Sequence, residues 1–169
     1  MSIVITEGYA PGCIGRIVQL HADYYARASG FGLAFEAKVA RELSAFCEAY
    51  EPGRDGLWLA QGARGIEGSV VIDASHATHD GAHLRWFITS DAVRGQGLGR
   101  RLLQSALDFA DQRGHRSVYL WTFAGLDAAR HLYESHGFRV VHESDGAQWG
   151  RVVREQRLVR ERPSHAGGA

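Results

Sequence analysis

Three glycines at alternate positions, Gly95, Gly97 and Gly99, lie between the apolar run Leu84-Arg85-Trp86-Phe87-Ile88-Thr89 and a segment of helical periodicity. Such a turn suits an anion. The first N–H groups of a helix lack internal partners, and the helix dipole puts partial positive charge on them. Glycines clear side chains from those N–H groups. Arg94, Arg100 and Arg101 add charge around the same turn, and the combination suits a pyrophosphate. Two phosphate-binding patterns fail on spacing. A dinucleotide fold calls for G-x-G-x-x-G and an acidic residue about 20 positions on. Here the spacing is G-x-G-x-G, and Arg113-Gly114-His115 stands where the acid should be. A P-loop calls for Gly-Lys-Ser/Thr opening the helix, which the turn lacks. On these residues alone the turn is either an anion cradle or a plain link between strand and helix.

The elements that must position this turn follow from periodicity. Residues 2–7 alternate weakly and predict a first strand. Over 11–28, Ile14, Ile17, Val18, His21, Tyr24 and Tyr25 fall at helical spacing. Ser29-Gly30-Phe31-Gly32 breaks that helix, and a second is expected over 35–50. After the turn EPGRDG, residues 57–61 and 65–73 read as a hairpin, followed by a strand over 83–89. A helix starts near Gly97, with Leu98, Leu102, Leu103, Ala106, Phe109 and Ala110 on one side, and ends at Arg113-Gly114. Residues 117–122 predict a buried strand, 127–136 a short helix stopped by Gly137, and 138–143 and 152–160 two last strands. A hairpin turn is expected about Ser144-Asp145-Gly146. Strand, helix, strand in the middle implies a parallel pair with a right-handed crossover. The expected fold class is therefore α/β (α+β), a mixed sheet of six to seven strands with helices on both faces.

Composition narrows the partners. The chain has 169 residues, expected to form one domain over 1–162 and a disordered tail over 163–169. Nineteen basic and nineteen acidic residues cancel, so charge gives no argument for nucleic acid or an anionic membrane. The N-terminus lacks a basic, then apolar, leader pattern, and no apolar run approaches the roughly 18 residues that span a bilayer. Cys13 and Cys47 read as reduced thiols of a cytoplasmic protein. His76, His79 and His83 have a spacing that can bind zinc, but HATHDGAH reads as a polar turn, and no metal is expected. Trp58, Trp86, Trp121 and Trp149 read first as core filling.

Arg94-x-x-Gly97-x-Gly99 resembles the signature Gln/Arg-x-x-Gly-x-Gly/Ala of the GNAT superfamily of N-acetyltransferases. The resemblance continues into Ala129 to Phe138, ARHLYESHGF, similar to the family's later A-x-x-x-Y-x-x-x-G-F helix. It covers residues 84–138 specifically, and it also resembles the acetyltransferase portion found fused to winged-helix regulators. It implies acetyl-CoA as co-substrate and a primary amine, small-molecule or peptide, as acceptor. By the same resemblance, the N–H groups of Gly95, Gln96, Gly97, Leu98 and Gly99 hold the pyrophosphate, with Arg94 opening the loop and Arg100 beside it. Trp86, Phe87 and Ile88 match the strand that pairs with the pantetheine arm, and two parallel strands ending near Ile88 and Thr122 splay to admit it. Tyr133 matches the family's general acid, which protonates the departing thiolate.

Two positions depart from the family pattern. Leu126 stands where many relatives carry an asparagine that steadies the pantetheine arm, and Trp121 where some carry a carboxylate base. The base is left open among Glu67, His83 and Glu155. Tyr24, Phe31 and Phe35 fall in the region that usually covers the acceptor, and a homodimer is a common arrangement. No cysteine lies near the motif helix to relay the acyl group, so direct attack in a ternary complex is expected. The alternative is a CoA-binding sensor with little catalysis.

Overall fold

The computed structural model describes residues 2–78 and 81–164. The chain runs β1 (Val4–Glu7), α1 (Cys13–Ser29), α2 (Leu33–Glu48), β2 (Gly56–Gly62), β3 (Gly65–Thr78), β4 (Gly81–Thr89), α3 (Leu98–Gln112), β5 (Ser117–Phe123), α4 (Asp127–Ser135), β6 (Arg139–Gly146) and β7 (Val153–Glu161), with a 3-10 turn at Asp91–Val93. The strands form one mixed sheet in the order β1-β2-β3-β4-β5-β7-β6. Every pairing is antiparallel except β4 with β5.

Apolar alternation on the central strands feeds two cores, one on each face. α3 buries Leu102, Leu103, Ala106 and Leu107 against Val70, Ile72, Leu84 and Leu120. α1 and α2 bury Ile17, Phe35, Val39 and Leu43 against Leu57, Leu59, Val71 and Trp86 on the other face. Gly30 ends α1 in the left-handed conformation (φ 67°), its N–H donating to Ala26 O at 3.1 Å.

The sheet is forked at its centre. β4 and β5 pair only at Ala82↔Val118 and His83↔Tyr119. Beyond that, β4 stays on β3 as far as Thr89, while β5 stays on β7 as far as Phe123. Within β4 the register slips between Arg85↔Val71 and Ile88↔Ser69, so Trp86 and Phe87 together oppose Val70. Trp86 takes φ 44°, the signature of a β-bulge that turns the strand. The Ser69 hydroxyl donates to Trp86 O at 2.7 Å and helps hold the bulge.

The expected elements are present, with two corrections. β3 continues five residues past the expected end at 73: the register with β4 breaks after Asp73↔His83 and pairing resumes at Thr78↔Gly81; backbone pairing does not require apolar side chains. His79 lies outside the described residues. The last hairpin turns at 147–152 rather than at Ser144-Asp145-Gly146, which are strand residues opposite Glu155, Arg154 and Val153. Charge pairs accompany this register: Arg154 reaches Glu143 at 2.9 Å and Asp145 at 3.4 Å across the pair. Of the expected tail, Pro163 and Ser164 are irregular, and 165–169 lie outside the described residues.

Candidate active site

A cleft of about 340 Å³ opens where β4 and β5 part. Its floor is β4 from His83 to Phe87 and β5 from Leu120 to Phe123. α1 contributes His21 and Tyr25, α4 contributes Tyr133, and the β6–β7 turn contributes Gln148 and Trp149. One wall is aromatic: Tyr25 packs on Phe35 (5.1 Å between centroids) and Phe123 on Trp149 (5.4 Å), with Phe31 buried beneath. The opposite wall is ionic. Glu42 accepts from Lys38 Nζ at 2.6 Å and from Arg85 at 2.7 Å, and Arg85 also lies 3.5 Å from Asp73 and 4.1 Å over the Trp86 ring.

Tyr133 projects from α4 between Phe87 and Phe138, with centroids 5.9 and 5.7 Å away. It is 8% exposed. Burial pushes its phenol well above the ordinary tyrosine value, and the nearby Tyr25 adds to this. Tyr25 is raised for the same first reason. Burial works the other way on imidazoles: it lowers His21 to about 4 and His83 to about 3, the latter with help from Arg85. The three positions matched to the pantetheine strand separate by face. Trp86 lies against Phe46 of α2 (5.7 Å), Phe87 faces Tyr133, and Ile88 is buried and does not line the cleft.

The glycine turn follows the end of β4. Gly95 and Gly97 take φ 80° and 76°, a left-handed backbone that glycine adopts without a side-chain penalty. Gly97 is the N-cap of α3, and the first intrahelical bond is Arg101 N–H to Gly97 O at 3.2 Å. The N–H groups of Leu98, Gly99 and Arg100 therefore emerge from the helix end. Leu98 is buried, whereas Gln96 and Arg100 are exposed. Gly99 faces Phe87 and Leu132, where an added Cβ would come to 3.4 and 3.5 Å. Arg94 lies 2.8 Å from Asp91 and 4.7 Å over the Tyr24 ring, and Arg27 of α1 binds the same Asp91. The last turns of α1 are thus tied to the glycine turn.

The candidate bases fare unequally. Glu67 accepts from the Ser90 hydroxyl, lies 4.0 Å from Arg16 and does not line the cleft. Glu155 accepts from the backbone N–H of Gln148 at 3.1 Å and from its side chain at 3.0 Å. His83 does line the cleft but is stacked flat on Tyr119 at 4.4 Å. Trp121 lines the cleft, edge-on to His142. Leu126 caps α4 through its carbonyl, which accepts from Arg130 N–H at 2.9 Å, and packs into the α1/α2 core. His131 and His136 stay outside the cleft. The reading of the sequence missed Lys38, Glu42 and Gln148. The first two could have been found with Phe35 and Val39, since positions 35, 38, 39 and 42 form one helical face.

A forked mixed sheet with a glycine turn at the fork and a buried tyrosine opposite defines an acyltransferase architecture. The chain belongs to the acetyltransferase (GNAT) family, which matches residues 15–138. It is 39% identical to the uncharacterized N-acetyltransferase YjgM of Escherichia coli over 70% of this chain and 71% of that protein. It is 28% identical to the N-acetylaspartate synthetase of Danio rerio over 86% of this chain. It spans about half of that relative's length (51%), and 38% of the camello relative of Xenopus laevis. Its fold matches yncA of Salmonella typhimurium, solved with its cofactor acetyl-CoA, at a TM-score of 0.77 and 17% identity, over 100% of this chain and 99% of that one. Among the described residues, no helix is long and apolar enough to cross a membrane.

Proposed function

We propose that the chain transfers the acetyl group of acetyl-CoA to a primary amine by direct attack in a ternary complex. The observation that carries this reading is the fork. β4 leaves β5 after His83↔Tyr119 and carries a bulge at Trp86, and an extended amide-bearing arm can pair with the edge freed there. The residues fit the cofactor on this ground. Gly95, Gln96, Gly97, Leu98 and Gly99 offer N–H groups to the pyrophosphate, Arg94 and Arg100 add charge, and the Trp86-Phe87-Ile88 backbone borders the arm. When bound, acetyl-CoA supplies a thioester whose C–S bond breaks as the amine nitrogen bonds to the acyl carbon.

One proton must leave the nitrogen and one must reach the sulfur. Tyr133 holds its proton at the phenolic oxygen beside the cleft. Burial keeps that proton in place through neutral pH, available to the departing thiolate. The aromatic wall excludes water and suits an acceptor with an apolar body.

Thermal unfolding with and without acetyl-CoA, alongside an Arg94→Glu/Gly97→Glu variant, tests the cofactor assignment. Ligand at about 100 times its dissociation constant adds roughly 2.7 kcal/mol, several degrees for this size. The shift is expected in the wild type and absent from the folded variant. Thiol release across a panel of amines then tests transfer. Binding without release for any amine would leave a CoA sensor instead.

A further inference from the structure

His21 is buried in the cleft wall, 6% exposed, yet only one of its ring nitrogens is engaged. Nδ1 lies 2.8 Å from the carbonyl of Ile17, one turn back on α1. A carbonyl only accepts, so Nδ1 carries the hydrogen and Nε2 carries the lone pair. Among the described residues Nε2 has no partner, and no buried side-chain nitrogen or oxygen there is sealed without one. Nε2 is therefore reachable by solvent, on a side chain that lines the cleft. One turn further along α1, the Tyr25 ring lies 6.3 Å from the His21 ring in a stacked orientation, and Tyr25 in turn neighbours Tyr133. A proton-accepting nitrogen and a proton-holding phenol thus border one space.

We propose that Nε2 of His21 is the atom that takes the proton from the acceptor amine, so that the general base of transfer comes from α1 rather than from a carboxylate of the sheet. This rests on the acetyltransferase reading above. The other candidates are already engaged: Glu67 by Ser90, Glu155 by Gln148, and Glu42 by Lys38 and Arg85. His83 sits at the last paired rung of the fork, against Tyr119, rather than in the opening beyond it.

The proton balance is simple. As the amine nitrogen bonds to the acyl carbon, its N–H grows acidic and the proton passes to Nε2. The C–S electron pair leaves on sulfur, which takes the proton of Tyr133. The imidazolium then passes its proton, by way of water, to the Tyr133 phenolate, which restores both groups. A base kept neutral by burial stays ready at pH 7, and it accepts from a neutral amine, not from an ammonium. The charged and titratable groups sharing the cleft are Tyr25 on the same helix, Lys38 and Glu42 on α2, His83 and Arg85 on β4, and Tyr133 on α4.

His21→Asn isolates the nitrogen in question, since its amide can still donate to Ile17 O but presents nothing at the Nε2 position. The turnover of the amine used best by the wild type is expected to fall about 10²–10⁴-fold, with an unchanged acetyl-CoA-induced shift in melting temperature. In His21→Ala, added imidazole should restore part of the rate. Turnover in His21→Asn within about threefold of wild type overturns the proposal, as does loss without imidazole rescue in a folded His21→Ala. A third readout needs no acceptor. The ¹⁵N spectrum of the wild type should show His21 as the neutral Nδ1–H tautomer from pH 6 to 8. Finding the Nε2–H tautomer or an imidazolium there overturns the proposal, whereas failure of every amine with this tautomer intact would strike at the transfer reading alone.

Discussion

Burial acts in opposite directions on the rings around the cleft. Removing water disfavours whichever form is charged, so the phenols of Tyr25 and Tyr133 rise and the imidazoles of His21 and His83 fall. All four are neutral at pH 7, two holding protons and two able to take them. Tyr133→Phe keeps the ring between Phe87 and Phe138 and removes only the hydroxyl. Stability should change little, while thiol release in the presence of amine falls by about 10²–10⁴-fold and the acetyl-CoA-induced thermal shift persists. An unchanged rate would hand the acid role to Tyr25 or to water. The raised phenol also makes a pH prediction. An unshielded tyrosine ionises near pH 10, so an alkaline fall centred there is expected to be missing, and the rate should not decline from pH 8 to 10.5. A half-fall at pH 10 would mean that the ionising phenol is in contact with bulk water.

At the scale of elements, the fork depends on a very short seam. Two residue pairs join β4 to β5, and Gly81 sits just before them with φ 85°. A Cβ there would stand 2.2 Å from the Ser117 carbonyl oxygen. Left-handed strain and backbone collision act together, so Gly81→Ala should lose at least about 2 kcal/mol in urea unfolding. Gly97→Ala makes a useful contrast, because it shares the left-handed φ but meets nothing within 4 Å; it should lose only about 1–2 kcal/mol. Equal losses would mean that the seam tolerates the collision. The elements themselves were legible because α3 and the central strands carry strong periodicity, and the glycine turn and Tyr133 were legible because their residues are close in sequence. The cleft's other side was not. His21 looks like one more position on an apolar helix face, and nothing local says that its second nitrogen faces a gap made by β4 and β5. Glu67 and Glu155 misled for the converse reason. Their partners, Ser90 and Gln148, are chosen by tertiary contact, and a strand pattern does not reveal a carboxylate already satisfied. The bulge at Trp86 was equally hidden, since a tryptophan gives no hint of a left-handed backbone.

For the molecule as a whole, nineteen charges of each sign cancel at pH 7, so the first loss of stability just below neutrality is argued from individual buried groups. Two of these groups are histidines that folding keeps neutral. An unfolded histidine takes its proton near pH 6.5, whereas the folded chain delays His21 to about 4 and His83 to about 3. Between those values the unfolded state binds more protons, so stability is full above pH 6.5 and falls as the pH drops toward 4. Each histidine adds a slope of up to about 1.4 kcal/mol per pH unit in that window. Asp73, held below its ordinary value by Ser75 and Arg85 despite burial, adds loss only at lower pH. His83→Phe separates the contributions, because a phenyl ring can keep the stack on Tyr119 while removing one titrating group. Urea unfolding at half-unit steps from pH 7 to 4.5 should show a shallower decline in this variant, by about one proton's worth of slope. Identical slopes would mean that His83 binds its proton as readily in the folded chain as in the unfolded one, and that the closed end of the fork is open to water.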